Sequence, residues 1–315
     1  MARFGSVASL PVNRGGFSEA REVALRSEEL GYSSVWFTDH MVPAWLSPQE
    51  SELECWTLLS AMSAITRKIR LGTLVSCESF RLPSLLAKMA ATVDVVSNGR
   101  LDLGIGAGWY QKDFEFLGLP FLEPSVRIER LKESIQIIKK MWTGDKMSFE
   151  GKHYRLSNVL SSHPKVVQKP HPPIWVGGKS KMVLRLAAEE ADVLNLTGVT
   201  PEECARKIEA LEDYCKEVGR RPSQLRKSIF IRHAVVGKND EEVKAELRRS
   251  EPIITVDGAP LKKHLDSGIF GTPDQCIEKI QRFVDLGIGD FQIFFYGNED
   301  QRALTFFAEK IASSF

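Results

Sequence analysis

Asp39 and His40 stand side by side in the run Trp36-Phe37-Thr38-Asp39-His40-Met41-Val42-Pro43-Ala44-Trp45, directly behind an apolar stretch. Histidine gives or takes a proton near neutral pH, and a neighbouring carboxylate can orient it or hydrogen-bond a cofactor. The pair reads as an acid/base and anchoring unit, against the plainer alternative of a capping Asp beside a structural His. A second group, Gly72-Thr73-Leu74-Val75-Ser76-Cys77-Glu78-Ser79-Phe80, mixes small residues with a thiol, a combination suited to lining a flat ligand. No His or cationic partner for Cys77 is evident in the sequence, so packing rather than nucleophilic attack is expected of its thiol.

Two glycine-containing segments follow. In Gly104-Ile105-Gly106-Ala107-Gly108-Trp109-Tyr110 the spacing is G-x-G-x-G, and Trp109 stands where a dinucleotide fingerprint needs its third glycine. Such glycines let a planar ring approach the backbone, with Trp109 and Tyr110 as stacking surfaces; the alternative is a tight turn alone. In Trp175-Val176-Gly177-Gly178-Lys179-Ser180-Lys181, two glycines, a hydroxyl and two lysines open a helix. Unpaired N–H groups at a helix start attract phosphate, although the segment is no P-loop and a bare turn is the competing reading. His153, His163, His171, His233 and His264 are scattered without metal-ligand spacing, so no metal is expected.

These segments need a scaffold that brings them together. Apolar, β-branched runs at Phe4 to Val7, Ser34 to Thr38, Ile69 to Ser76, Leu101 to Ile105, Ile174 to Val176, Val193 to Leu196, Ile229 to Val236 and Phe291 to Phe295 alternate with helical patterns. The helical patterns are Phe17 to Leu30, Leu53 to Ile65, Pro83 to Val96, Ser125 to Trp142, Lys181 to Glu190, Pro201 to Val218, Asp240 to Leu247, Pro273 to Leu286 and Gln301 to Ser313. That alternation predicts an α/β fold, a single (β/α)8 TIM barrel over residues 1–315. Insertions are expected before strand five, at about 143–173 with a hairpin around Met147 to Leu156, and after strand seven, at about 249–271. Every chemical segment above then falls behind a strand, on the rim where such barrels carry their chemistry.

Composition narrows the partners. The 315 residues are 43% hydrophobic and 26% charged with a net charge of +1, values of a globular chain with no basic block for nucleic acid. Five cysteines without a C-x-x-C pair argue against a disulfide framework. With no long apolar run, the expectation is a cytoplasmic protein with no membrane partner.

Taken together, Leu71-Gly-Thr-Leu-Val-Ser-Cys77, Leu86-Ala-Lys-Met-Ala-Ala-Thr-Val-Asp94, Gly99-Arg-Leu-Asp-Leu-Gly-Ile-Gly-Ala-Gly-Trp109, Phe149-Glu-Gly-Lys-His-Tyr-Arg-Leu156 and Pro170-His-Pro-Pro-Ile-Trp-Val-Gly-Gly178 resemble the luciferase-like flavin-dependent oxidoreductases in order and spacing. The resemblance is strong from about Phe17 to Leu196 and weaker beyond. Trp36-Phe-Thr-Asp-His40 is similar to the branch that uses the deazaflavin coenzyme F420. It implies that Asp39 contacts the cofactor, that His40 handles the substrate proton, and that a cis peptide lies between Leu74 and Cys77. It also implies cofactor contacts from Ser76, Cys77, Gly106, Ala107, Gly177, Gly178 and Ser180, with Lys179 and Lys181 near the acidic tail, and a homodimer. Two positions depart from the sugar-phosphate dehydrogenases of that branch, with Trp109 in place of a Glu and Gly198 in place of a Lys, so a glucose phosphate substrate is not implied.

The expected activity is hydride transfer between F420 and a small organic substrate, with His40 as general acid or base. The alternatives are an FMN-dependent monooxygenase on the same barrel and a non-catalytic flavin-binding protein, which would need no proton-handling histidine.

Overall fold

The computed structural model describes residues 1–8, 16–44, 52–160, 164–255, 258–295 and 301–315. Trp45 and His163 lie outside the described residues, as does part of each expected insertion. Eight parallel strands form the barrel: β1 (Arg3–Val7), β2 (Ser34–Phe37), β3 (Arg70–Thr73), β4 (Leu101–Gly106), β5 (Ile174–Gly177), β6 (Val193–Thr197), β7 (Arg226–Val236) and β8 (Asp290–Phe295). Each pairs with the next, and Phe4 of β1 lies opposite Phe291 of β8, which closes the ring.

The helices run in chain order as α1 (Gly16–Glu29), α2 (Cys55–Ile65), α3 (Pro83–Val96), α4 (Gln111–Phe116), α5 (Pro124–Thr143), α6 (Lys181–Glu190), α7 (Pro201–Glu217), α8 (Asp240–Ile254), α9 (Leu261–Ser267), α10 (Pro273–Asp285) and α11 (Arg302–Lys310). Their starts follow from local chemistry. A proline in the first turn, where no N–H partner is needed, opens α3, α5, α7 and α10. Thr200 with Glu203 and Thr272 with Gln275 add reciprocal capping boxes ahead of α7 and α10.

Between the strands and the helices lies one continuous apolar core, which takes in Leu71, Leu101 and Ile229 from the sheet and Leu131, Ile135 and Ile138 from α5. Inside the ring, Trp36 and Trp175 meet edge to face with centroids 4.6 Å apart, and Gly72 has no side chain because the Trp36 ring occupies that space.

The expected strand Ile69 to Ser76 is two pieces: after β3 the chain makes a cis peptide at Leu74-Val75 and re-pairs with β4 at Ser76–Cys77. The hairpin before β5 pairs Lys146–Glu150 with Arg155–Leu160. Helix α8 continues past Leu247 to Ile254, because Ser250 and Ile254 turn inward and Ile254 packs on Val235. Helix α9 and a short strand, Ile269–Gly271, which pairs with β7, fall within the second expected insertion. No helix among the described residues is long and apolar enough to cross a membrane.

Candidate active site

A cavity of about 530 Å³ opens at the C-terminal ends of the strands, a volume within the usual range for small-molecule sites. Eight of the nine residues expected at a site line it: Asp39, His40, Cys77, Gly106, Ala107, Gly177, Gly178 and Ser180. Ser76 does not; it is fully buried and its hydroxyl accepts from Trp56 Nε1 at 2.8 Å. Burial pushes the Cys77 thiol far up, so it is an uncharged packing group facing the cavity.

His40 is held by a residue that the sequence did not flag. Its Nδ1 lies 2.7 Å from Oδ2 of Asp113, whose side chain is 3% exposed. Oδ1 of the same carboxylate accepts the amides of Met41 and Val42 at 2.8 and 3.1 Å. Asp113 thus fixes both the imidazole and the loop that carries it. Its only local signal is an acid in the first turn of α4, a helix of six residues that is too short to show periodicity. Trp109 and Tyr110 pack edge-on to the His40 ring, with centroids at 5.8 and 5.9 Å.

Asp39 turns to a different partner. Both of its oxygens meet Arg81, at 2.6 and 3.0 Å, and Oδ2 also accepts the Cys77 amide. Burial pushes its carboxyl above the usual value against the pull of Arg81, which also reaches Glu54, the N-cap of α2. Asp39 therefore ties the ends of β2 and β3 to α2.

A Cβ on Gly106 would stand 2.8 Å from Val75 Cγ2, and one on Gly177 would stand 2.9 Å from the same methyl. These glycines admit the Val75 side chain, which lines the cavity beside them. Gly178 has φ +138° and backs onto Val183, so a side chain there is strained. The adjoining Ser180 caps α6 by accepting from Val183 N–H, and the N–H groups of Lys181 and Met182 begin the helix at the cavity edge.

Opposite His40, the ends of β5 to β7 supply cations. Lys179 crosses to the end of β6 and donates to the Gly198 carbonyl at 2.8 Å, while Arg232, Lys263, His233 and His264 line the same side. His233 and His264 meet edge to face at 4.8 Å. Lys181 does not line the cavity. No cluster of metal-binding side chains occurs among the described residues.

An apolar lining that includes Leu74, Val75 and Phe80, a glycine-bordered helix start and a volume of this size fit a tricyclic cofactor that carries a phosphate. Comparison with known proteins agrees. A family model described as luciferase-like monooxygenase matches residues 3–265. The F420-dependent glucose-6-phosphate dehydrogenase of Microbacterium testaceum (strain StLB037) is 28% identical, covering 98% of this chain and 96% of that protein. An FMNH(2)-dependent dimethylsulfone monooxygenase from Pseudomonas putida is 34% identical over 45% of this chain and 39% of its own length. Among solved structures, an F420-dependent secondary alcohol dehydrogenase in complex with an F420-acetone adduct superposes with a TM-score of 0.85, covering 100% of this chain and 99% of that one at 22% identity.

Proposed function

Because the chain belongs to the luciferase-like monooxygenase family, we propose that it is a coenzyme F420-dependent oxidoreductase acting on a small organic substrate. The observation that carries this reading is the His40–Asp113 pair at the cavity edge, supported by full-length relatives named for F420 dependence. When bound, the cofactor supplies the hydride chemistry at its C5. Asp113, hydrogen-bonded to His40 Nδ1, orients the imidazole that takes or gives the substrate proton. Val75 supports the ring, with Asp39, Cys77 and Ala107 around it, and Asp39 is held in place by Arg81. Gly177, Gly178 and Ser180 present the start of α6 to the phosphate. Trp109 and Tyr110 shield His40 from water. The resemblance implies a homodimer, which light scattering on the purified protein checks.

The test is anaerobic incubation of the F420-loaded protein with panels of alcohols, aldehydes and sugar phosphates, following the cofactor's visible absorbance. Bleaching or its reversal by one of them is expected. Oxygen consumption with reduced FMN and no change with F420 would support the second reading, a monooxygenase, which the partial match to the dimethylsulfone enzyme favours.

A further inference from the structure

The motif Phe149-Glu-Gly-Lys-His-Tyr-Arg-Leu156 forms the turn of the hairpin before β5, and none of its residues lines the cavity. Helix α5 braces that turn. Glu133 accepts the amides of Lys152, His153 and Tyr154 at 2.7, 3.0 and 3.0 Å, and Gly151 leaves room for its carboxylate. Glu129 meets Lys152 Nζ and His153 Nε2 at 2.7 and 2.9 Å. So fixed, the turn sends Tyr154 back to the barrel, where its hydroxyl donates to Glu78, 76 residues earlier in the chain.

Glu78 is 1% exposed, and its carboxylate accepts from Tyr154, from Ser134 at 3.2 Å and from Ser79 at 2.9 Å, with Arg130 Nε at 3.5 Å. Arg130 also donates to the Tyr154 hydroxyl at 2.7 Å. Burial first and then the Glu78 carboxylate push the Tyr154 phenol up, so it stays a protonated donor. A buried carboxylate is costly unless it is paired in this way, and the single 3-10 turn that carries it, Glu78–Phe80, is therefore held where the donors stand. Its neighbours in the chain belong to the cavity. Cys77 and Phe80 line it, the Cys77 amide donates to Asp39 at 3.3 Å, and Arg81 grips Asp39. We propose that Glu78 and Tyr154 are positioning residues for the cofactor: the braced hairpin turn, acting through the Glu78 carboxylate, fixes the segment 77–81 that sets Cys77, Phe80 and Arg81 at the cavity wall. The inference rests on the reading of the cavity as the cofactor's.

Tyr154→Phe removes the hydroxyl and keeps the ring against Arg130, whereas Glu78→Gln removes the charge and keeps the shape. F420 affinity is measured by fluorescence, and amide hydrogen exchange over residues 74–81 by mass spectrometry. Arg155→Ala, on the same hairpin and exposed in its pair with Glu150, is the control. Tyr154→Phe and Glu78→Gln are expected to bind F420 about fivefold more weakly, near 1 kcal/mol, and to exchange faster over 74–81, with the control at wild-type values for both. Wild-type F420 affinity in the folded variants, even with a lower melting temperature, overturns the proposal and leaves the hairpin a role in stability alone; so does unchanged exchange over 74–81. Where one variant does not fold, the other decides. If the wild type itself binds no F420, the cofactor reading fails separately, and exchange over 74–81 in the apoprotein decides whether the hairpin positions the cavity wall.

Discussion

The two rims of the barrel use the same residue types to opposite ends. At the N-terminal rim, Arg3 grips Asp290 in a bidentate pair at 2.6 and 2.7 Å, joining the first residues of β1 and β8. Arg70 does the same to Asp102 across β3 and β4, and Asp102 also accepts from Trp175 Nε1. Arg100 donates to the carbonyls of Ser63, Thr66 and Ile69, and Glu28 accepts the amides of Arg67, Lys68 and Ile69. These groups neutralise one another and lock the strand starts. At the C-terminal rim, the His40–Asp113 and Asp39–Arg81 pairs border a cavity. Where charges lock one strand start to the next the rim is built for stability; where they border a cavity it is built for a ligand.

The largest effect that would sharpen this division is at His40. His40→Ala is expected to lower turnover about 10²- to 10⁴-fold while leaving cofactor affinity and melting temperature near wild type; unchanged turnover with a lower melting temperature would move His40 to the structural side. Asp113→Asn retains an oxygen for the Met41 and Val42 amides but not an acceptor for His40 Nδ1–H. A loss of about tenfold or more in rate, near 1.4 kcal/mol, is expected. A variant with the wild-type rate would show that Asp113 serves the loop alone.

The N-terminal rim is expected to behave inversely. Asp290→Ala leaves Arg3 and Arg226 without their carboxylate, a cost of about 2 kcal/mol in stability, with turnover per folded molecule preserved. Glu28→Gln is a smaller perturbation, about 1 kcal/mol, and carries a pH signature. Burial alone would raise the Glu28 carboxyl, but the amides of Lys68, Ile69 and Arg67, with Arg100 nearby, outweigh it and hold the carboxyl below its usual value. The stability that it contributes is therefore present above the unfolded value of about 4.3 and is lost as pH falls through the lower folded value. Melting curves of wild type and variant are expected to differ at neutral pH and to converge in acid. A difference that persists in acid would show that the charge is not what matters.

Legibility in the sequence followed the same division. The eight strands and the long helices could be read because burial on a sheet or a helix face writes a period into the chain. Asp39, His40 and the Gly177-Gly178 turn were legible because their residue types are unusual directly behind a strand. Asp113, Arg81, Arg232 and Lys263 were not, since each reaches its partner or the cavity from a short helix, a turn or a separate strand, and no local pattern records a contact across 42 or 73 residues. Ser76 was named by the resemblance alone, and nothing local in the sequence signals that its hydroxyl accepts from Trp56 Nε1. The G-x-G spacing marked Gly106 at the cavity, but not that a Cβ there would meet Val75.

The central claim is that the cavity on the C-terminal rim is built for coenzyme F420, and the most direct test is titration of the purified apoprotein with F420 and with FMN under the same conditions, read by fluorescence. F420 is expected to bind at least about tenfold tighter, a gap of about 1.4 kcal/mol. Equal affinity, or tighter binding of FMN, would contradict it.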